Sequence, residues 1–299
     1  NEARWPHPNL HHIDGHDLVR SLLMISIFLN RVHFPRSEQQ LDSLPSPLPS
    51  HGGSNEPSPN ARRTGLRSGE LVFNWTNSRG RTYMTKTSHS QAGEDRIVAF
   101  LWKALNPTAA PTYLDLGAAH PIDDNNTYLS YEMGGDGVLV EADSGYGAAY
   151  REHRPRDVAI HAAIVPARLG HQTHVEFFKS DDPGWNTISK AHAEIGASLG
   201  KGYGMDTLQV PARTVASILE TFFPHRSPDY VSIDVEGIDG EILSDWDFRR
   251  YRPKILVVEN AGGRRIHDEI MFASGYQLYG FTLVNSIYVD GGILNQMRF

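Results

Sequence analysis

Two acids close hydrophobic runs in the middle of the chain: Asp115 in TYLDLG (112–117) and Glu141 in GVLVEA (137–142). An acid at the end of a strand can accept hydrogen bonds from both hydroxyls of a ribose. The glycine after the first acid, Gly117, frees the backbone to approach a ligand closely, with Ala118 continuing the turn. A dinucleotide site would need G-x-G-x-x-G here, with the pyrophosphate on a helix N-terminus. Only Gly117 is present, and Asp115 would repel a pyrophosphate. The loop therefore suits a cofactor without phosphates. S-adenosylmethionine fits that description, with its cationic sulfonium, its ammonium and its ribose. Glu141 is the expected ribose acceptor, and Asp143 takes the role if the strand ends later.

A second group of acids follows. In SIDVEG (232–237), Asp234 and Glu236 flank a valine at the end of an apolar run. On a strand these two would share a face. Two like charges brought together need a cation or a proton to relieve them. Glu259 and Asn260 end the later run KILVVEN (254–260). If those two strands are neighbours, Asp234, Glu259 and Asn260 converge as oxygen ligands suited to Mg²⁺. The alternative is that the acids cap helices or bind the cofactor or substrate. His120, three residues beyond Gly117, is a candidate general base beside Glu236. His161 and His267 read as ordinary surface or core residues.

The elements that must position these residues are legible as alternating patterns. Apolar runs occur at 112–117, 137–142, 158–165, 173–178, 229–235, 254–260, 276–281 and 286–290. Most are continuous, as expected of strands buried on both faces of a parallel sheet. Helical periodicity covers 91–105, 213–223, 238–248 and 264–274, and Ser88 with Gln91 fits a capping box. The architecture is α/β, which puts the default site outside the carboxyl ends of the strands. Before residue 86 the composition differs. Residues 1–85 read as an N-terminal extension with a short helix near Leu18–Leu29 and a Pro/Ser/Gly-rich linker, and 86–299 as the catalytic domain.

The chain of 299 residues has no cysteine, which excludes disulfides, thiolate metal sites and a cysteine nucleophile. A net charge of −7 argues against a nucleic-acid partner. No stretch reaches the roughly 18 apolar residues of a membrane span, and no cleavable signal is read, so the expected location is the cytoplasm.

The blocks SQAGEDRIV (90–98), YLDLGAAHPIDDNNTYL (113–129), LVEAD (139–143), WNTIS (185–189) and YVSIDVEGIDGEIL (230–243) resemble the FkbM-type methyltransferases. The resemblance covers about 88–290. It implies a class I methyltransferase, Rossmann-like fold, with a seven-stranded, mostly parallel sheet and an antiparallel last strand. It implies S-adenosylmethionine as donor and O-methylation of a sugar, glycolipid or natural-product hydroxyl. The acceptor would be a small molecule or a glycan, and a homo-oligomer is left open. The resemblance also gives Gln91, Glu94 and Asp95 a role near the cofactor, beside Asp115, Gly117, Ala118, Glu141 and Asp143, while Asn126, which follows the Gly loop with Asn125 and Thr127, reads as reaching the cofactor or acceptor or as a turn former. Where the family commonly has Glu-Pro, this chain has Glu141-Ala142, keeping the acid. Trp185, Tyr203 and Phe281 are candidate stacking residues for an acceptor. The rival readings are an oxidoreductase with a nucleotide cofactor on a similar fold, and a non-catalytic binding module.

Overall fold

The computed structural model describes residues 88–203, 207–260 and 264–294, together with two short strands upstream. The expected helix near Leu18–Leu29 and the linker lie outside the described residues. The two upstream strands, β1 (Asn74–Thr76) and β2 (Thr82–Met84), pair antiparallel with each other.

From there the chain alternates. Helix α1 (Glu94–Leu105) leads into β3 (Thr112–Leu116), α2 (Tyr128–Glu132), β4 (Asp136–Glu141), α3 (Gly147–His153) and β5 (Val158–His161). Then come β6 (Ala163–Val165), β7 (His174–Phe177), α4 (Lys190–Ser198), β8 (Leu208–Thr214), α5 (Val215–Phe222), β9 (Tyr230–Ile233) and α6 (Asp239–Ser244). The last elements are β10 (Ile255–Glu259), α7 (Asp268–Ala273), β11 (Tyr276–Phe281), β12 (Asn285–Asp290) and α8 (Gly291–Leu294).

Seven strands form the central sheet in the order β11-β12-β10-β9-β3-β4-β5. The pairs β10–β9, β9–β3, β3–β4 and β4–β5 are parallel, and β12 runs antiparallel to both β10 and β11. This is the expected class I methyltransferase, Rossmann-like architecture. The continuous apolar runs have the expected cause: β9 and β12 are buried along their whole length, and helices cover both faces. Burying a side chain such as Leu116 or Ile233 is worth about 1.5–3 kcal/mol, and both are fully buried.

Register sets the site. Leu116 pairs with Val140 on one side and Ile233 on the other, and Ile233 pairs with Val258. Gly117, Glu141, Asp234 and Glu259 therefore emerge at one level, on the carboxyl edge. The strand order reverses between β3 and β9, which is where ligands bind open α/β sheets.

Four expectations need correction. The run 158–165 is two strands: the chain leaves the central sheet at Ala162, and β6 joins a three-stranded sheet, β6-β8-β7. The strand read at 173–178 belongs to that small sheet as well. Neither β8 nor α4 was legible, because Leu208 is exposed and α4 buries only Ala193 and Gly196. The Ser88–Gln91 capping box is absent. The helix starts three residues later, after Gly93, and Asp95 instead accepts from Ser88 Oγ (2.6 Å) and His89 N (2.7 Å).

Among the described residues, no helix is long and apolar enough to cross a membrane.

Candidate functional site

A cleft of about 410 Å³ opens at the switch point, where Gly117, His120, Glu141, Asp234 and Glu236 meet Gln91. Gly117 has φ +80°, and its α-carbon lies so close to β9 that an added Cβ would sit 1.7 Å from the Asp234 carbonyl oxygen. The same turn is pinned by Gly117 N donating to Val140 O (2.9 Å) and Asp234 N donating to Leu116 O (3.0 Å). The glycine thus serves strand-to-strand contact as well as the cleft floor. Ala119 beside it holds φ +45°, a left-handed conformation that costs a non-glycine residue about 1–2 kcal/mol.

Glu141 is buried at the end of β4. Its Oε2 accepts from Ala119 N (2.8 Å) and its Oε1 from Asp143 N (2.7 Å). Burial raises its pKa, and those two N–H groups oppose the rise. Each oxygen keeps a lone pair for a further donor from the cleft.

Several expected cofactor residues are engaged elsewhere. Asp115 is buried and does not line the cleft: it accepts from Thr127 Oγ1 (2.7 Å) and Asn125 Nδ2 (3.3 Å). Burial pushes it up to about 6 despite those bonds. Asn125 Nδ2 also donates to Ala118 O (2.9 Å), so Asp115 props the glycine turn from behind. Arg154, buried beside Asp157 at 2.7 Å, donates to both Asn125 and Thr127 and completes this support. Ala118 is buried within it. Glu94 is fully buried, accepting from Ala92 N (2.9 Å) and from Thr282 Oγ1, which ties α1 to the β11–β12 turn. Asn126 donates to Ser232 Oγ at 3.1 Å inside the core. Asp143 caps a short turn and pairs with Lys179 at 2.7 Å.

The second acid group converges, with one substitution. Single carboxylate oxygens of Asp234, Glu236 and Glu259 all lie within 4.8 Å of one another. Asn260 does not join them. Its Oδ1 accepts from Ser286 Oγ (2.7 Å) and its Nδ2 donates to Thr282 O (3.2 Å), so both ends of the amide are used. The expected shared strand face is also wrong in detail: β9 ends at Ile233, and Glu236 reaches the cluster from a turn at φ +53°. Burial is the main cause of a raised pKa in all three. Asp234 is driven well above the carboxylate range, Glu236 to about 8 and Glu259 to about 11, with the neighbouring acids adding to each rise. Asp234 Oδ1 is shielded from solvent and has no hydrogen-bond partner.

His120 lines the cleft, but its Nδ1 accepts from Asp123 N (2.9 Å) and Ile122 N (3.3 Å). That bonding puts the ring proton on Nε2, so the free edge of the ring is a donor. This opposes the expected role as base. The stacking candidates divide. Trp185 packs against His192 at a ring distance of 5.1 Å and accepts at its carbonyl from Tyr203 OH (2.8 Å), whereas Phe281 is exposed under Arg265.

The segment around WNTIS lines the same cleft as Gly117, and sequence reasoning placed none of its polar side chains in the site. Thr187 Oγ1 donates to Glu236 O (2.7 Å), and Asn186 Oδ1 accepts from Ser180 N (2.8 Å). His192, in the first turn of α4, lies 3.3 Å from Glu236. The only signal was the block's place in the resemblance.

The comparisons agree in part. No curated protein matches the chain in sequence. Among solved structures, a Pyrococcus horikoshii protein described as an RNA methyltransferase aligns with 9% identity and a TM-score of 0.36, covering 69% of this chain and 87% of that one. Precorrin-6y C5,15-methyltransferase from Geobacter metallireducens aligns with 13% identity and a TM-score of 0.34, covering 68% and 90%. The family model for the methyltransferase FkbM domain matches residues 115–279, more than half of the chain and from Asp115 through the whole acidic cluster. The chain belongs to the FkbM methyltransferase family.

Proposed function

We propose that this protein transfers the methyl group of S-adenosylmethionine to a hydroxyl oxygen of a small molecule or glycan, such as a sugar, glycolipid or natural product, with 86–299 as the catalytic domain. The observation that carries the donor is the charge of the cleft. Asp123, Asp124, Glu141, Asp182, Asp234 and Glu236 line it; among the described residues no Lys or Arg is in the lining, and Lys201 pairs with Asp182 from beside it. A cationic sulfonium and ammonium would draw the more buried of these carboxyls towards ionisation, whereas a pyrophosphate would oppose it, which weighs against the dinucleotide oxidoreductase. Its volume lies within the roughly 300–1,000 Å³ usual for small-ligand sites.

Glu141 is the ribose acceptor in this reading. Glu141→Ala should weaken S-adenosylmethionine binding by about 1.5–3 kcal/mol, the scale of a hydrogen bond to a charged group. Calorimetry finding unchanged affinity would remove Glu141 from the site.

The observation that favours oxygen as the nucleophile is the cluster of Asp234, Glu236 and Glu259. The sulfonium supplies an activated methyl, so the protein's remaining tasks are alignment, exclusion of water and acceptance of the hydroxyl proton. Glu236, pushed to about 8, accepts a proton only in its ionised form, so on this reading the rate rises with pH up to about 8. The three carboxylates also fit a hard cation, with the orphaned Asp234 Oδ1 as the clearest vacant ligand. A bound Mg²⁺ would lower the pKa of the acceptor hydroxyl. Labelled S-adenosylmethionine, incubated with hydroxylated glycans, lipids and polyketides, tests both readings. With a cation in the cluster, chelator abolishes transfer and Mg²⁺ restores it. Full activity in chelator leaves Glu236 as the base. Label transferred only to nitrogen or carbon acceptors would overturn O-methylation.

A further inference from the structure

The turn carrying Glu236 is held from outside the sheet, and only half of that hold is a completed bond. Thr187 fixes its backbone through the 2.7 Å bond to Glu236 O. The side chain has a different neighbour. His192 Nε2 lies 3.3 Å from Glu236 Oε2, is shielded from solvent and makes no aligned hydrogen bond. The rest of the imidazole has little freedom. Its ring packs on Trp185, and it closes against Gly237 so tightly that a Cβ there would fall 2.6 Å from Nδ1. Its backbone N–H donates to the Ser189 cap of α4 (3.3 Å), which fixes where the ring leaves the helix. Gly237 has φ +96°, so a glycine is what leaves room for the ring. A buried polar atom without a partner costs about 1–3 kcal/mol. Catalytic hydrogen bonds are often long in the free enzyme and tighten when the complex forms.

We propose that His192 is a positioning residue. Its Nε2–H donates to Glu236 Oε2 as the cleft fills, holding that carboxylate on the acceptor side beside Asp234 and Glu259. The role rests on the O-methylation reading above and adds a residue to it that acts only through Glu236. Neither the acidic pattern nor the family blocks point to this histidine, because it lies on a polar helix 44 residues before its partner.

Two variants separate orientation from packing. His192→Phe keeps the ring on Trp185 and removes the donor. His192→Gln places an amide N–H near the position of Nε2. The three proteins are crystallised with S-adenosylhomocysteine and assayed with labelled S-adenosylmethionine against the acceptor panel. His192→Phe should lower kcat by about 10- to 100-fold, the cost of losing a partner that orients a catalytic carboxylate. The KM for S-adenosylmethionine should stay within about twofold, since uniform binding is untouched. His192→Gln should recover most of the loss. In the crystals, the Glu236 carboxylate should shift by about 1 Å or more in His192→Phe, a displacement large enough to matter for alignment, and stay in place in His192→Gln. Equal kcat in all three proteins, or a Glu236 that does not move without the imidazole, overturns the proposal. A wild-type protein that methylates no hydroxyl defeats the O-methylation reading instead, and the crystal positions then decide His192 alone.

Discussion

Asp234→Asn should cut turnover by about 10²-fold or more while cofactor affinity changes little, because removing one electrostatic or general-base group typically costs that much. The substitution keeps size and removes the group's capacity to ionise, to give up a proton or to hold a cation. Asp234 emerges from β9, at the same level as Glu259 on one neighbouring strand and Gly117 on the other. Its Oδ1 is the one carboxylate oxygen of the cluster that is shielded and unpartnered. Interactions of that kind grow as the acceptor oxygen loses its proton, so they act on the rate rather than on the bound ground state. Initial rates and calorimetry on the same preparation check both halves. Full activity in Asp234→Asn would remove the cluster from the chemistry and leave the acceptor side of the cleft unassigned. Loss of cofactor binding in parallel would place Asp234 on the donor instead.

Gly117→Ala should be the most destabilising single substitution in the cleft. The residue holds φ +80°, and a Cβ would meet the Asp234 carbonyl oxygen at 1.7 Å and its carbon at 2.8 Å. A left-handed L-residue costs about 1–2 kcal/mol and an overpacked interior contact about 1–3 kcal/mol, so about 3 kcal/mol or more is expected. The obstacle is backbone one residue past the end of the central strand β9, tied to Leu116 O, which cannot swing aside as a side chain could. Urea unfolding should show the midpoint falling with the slope preserved, together with loss of cofactor binding. A midpoint like that of the wild type would mean that β3 and β9 separate at low cost.

The sheet was legible because its strands are buried on both faces. Runs such as KILVVEN and SIYVD have no polar face to confuse with helical periodicity, and each became a central strand. The small sheet was legible only in part: β6 and β7 fall inside the runs 158–165 and 173–178, their separate sheet was not read, and β8 was missed. His174 and Glu176 alternate with buried Val175 and Phe177, and Leu208 and Gln209 face solvent, so the pattern of β7 and β8 is that of half-exposed strands with few residues to judge by. The break at Ala162 carries no punctuating glycine or proline, and the two halves of 158–165 therefore read as one.

At the site, the acids ending strands were found by position, and Glu141, Asp234 and Glu259 stand where strand ends put them. What spacing could not tell was which way a carboxylate turns. Asp115 and Glu94 are spent on Thr127 and Thr282, and the amide of Asn260 on Ser286 and Thr282, all contacts made across sequence. Glu236 joined the cluster through a left-handed turn that alternation along a strand does not describe. His192 required the fold itself, since only the packing of α4 brings it to residue 236.

The wall made by 178–203 closes on itself. Phe178 bridges to Thr187, Ser180 bridges to Tyr203, and Asp181 N donates to Gly202 O at 2.7 Å. Its entry and exit are thus stitched together next to the small sheet, and between them Thr187 and His192 are tied to the Glu236 turn. A graft of another family member's 181–202 stretch that keeps Thr187 and His192 is therefore expected to fold on this scaffold, and a changed acceptor range in labelled-methyl assays would mark this wall as the part that chooses what is methylated.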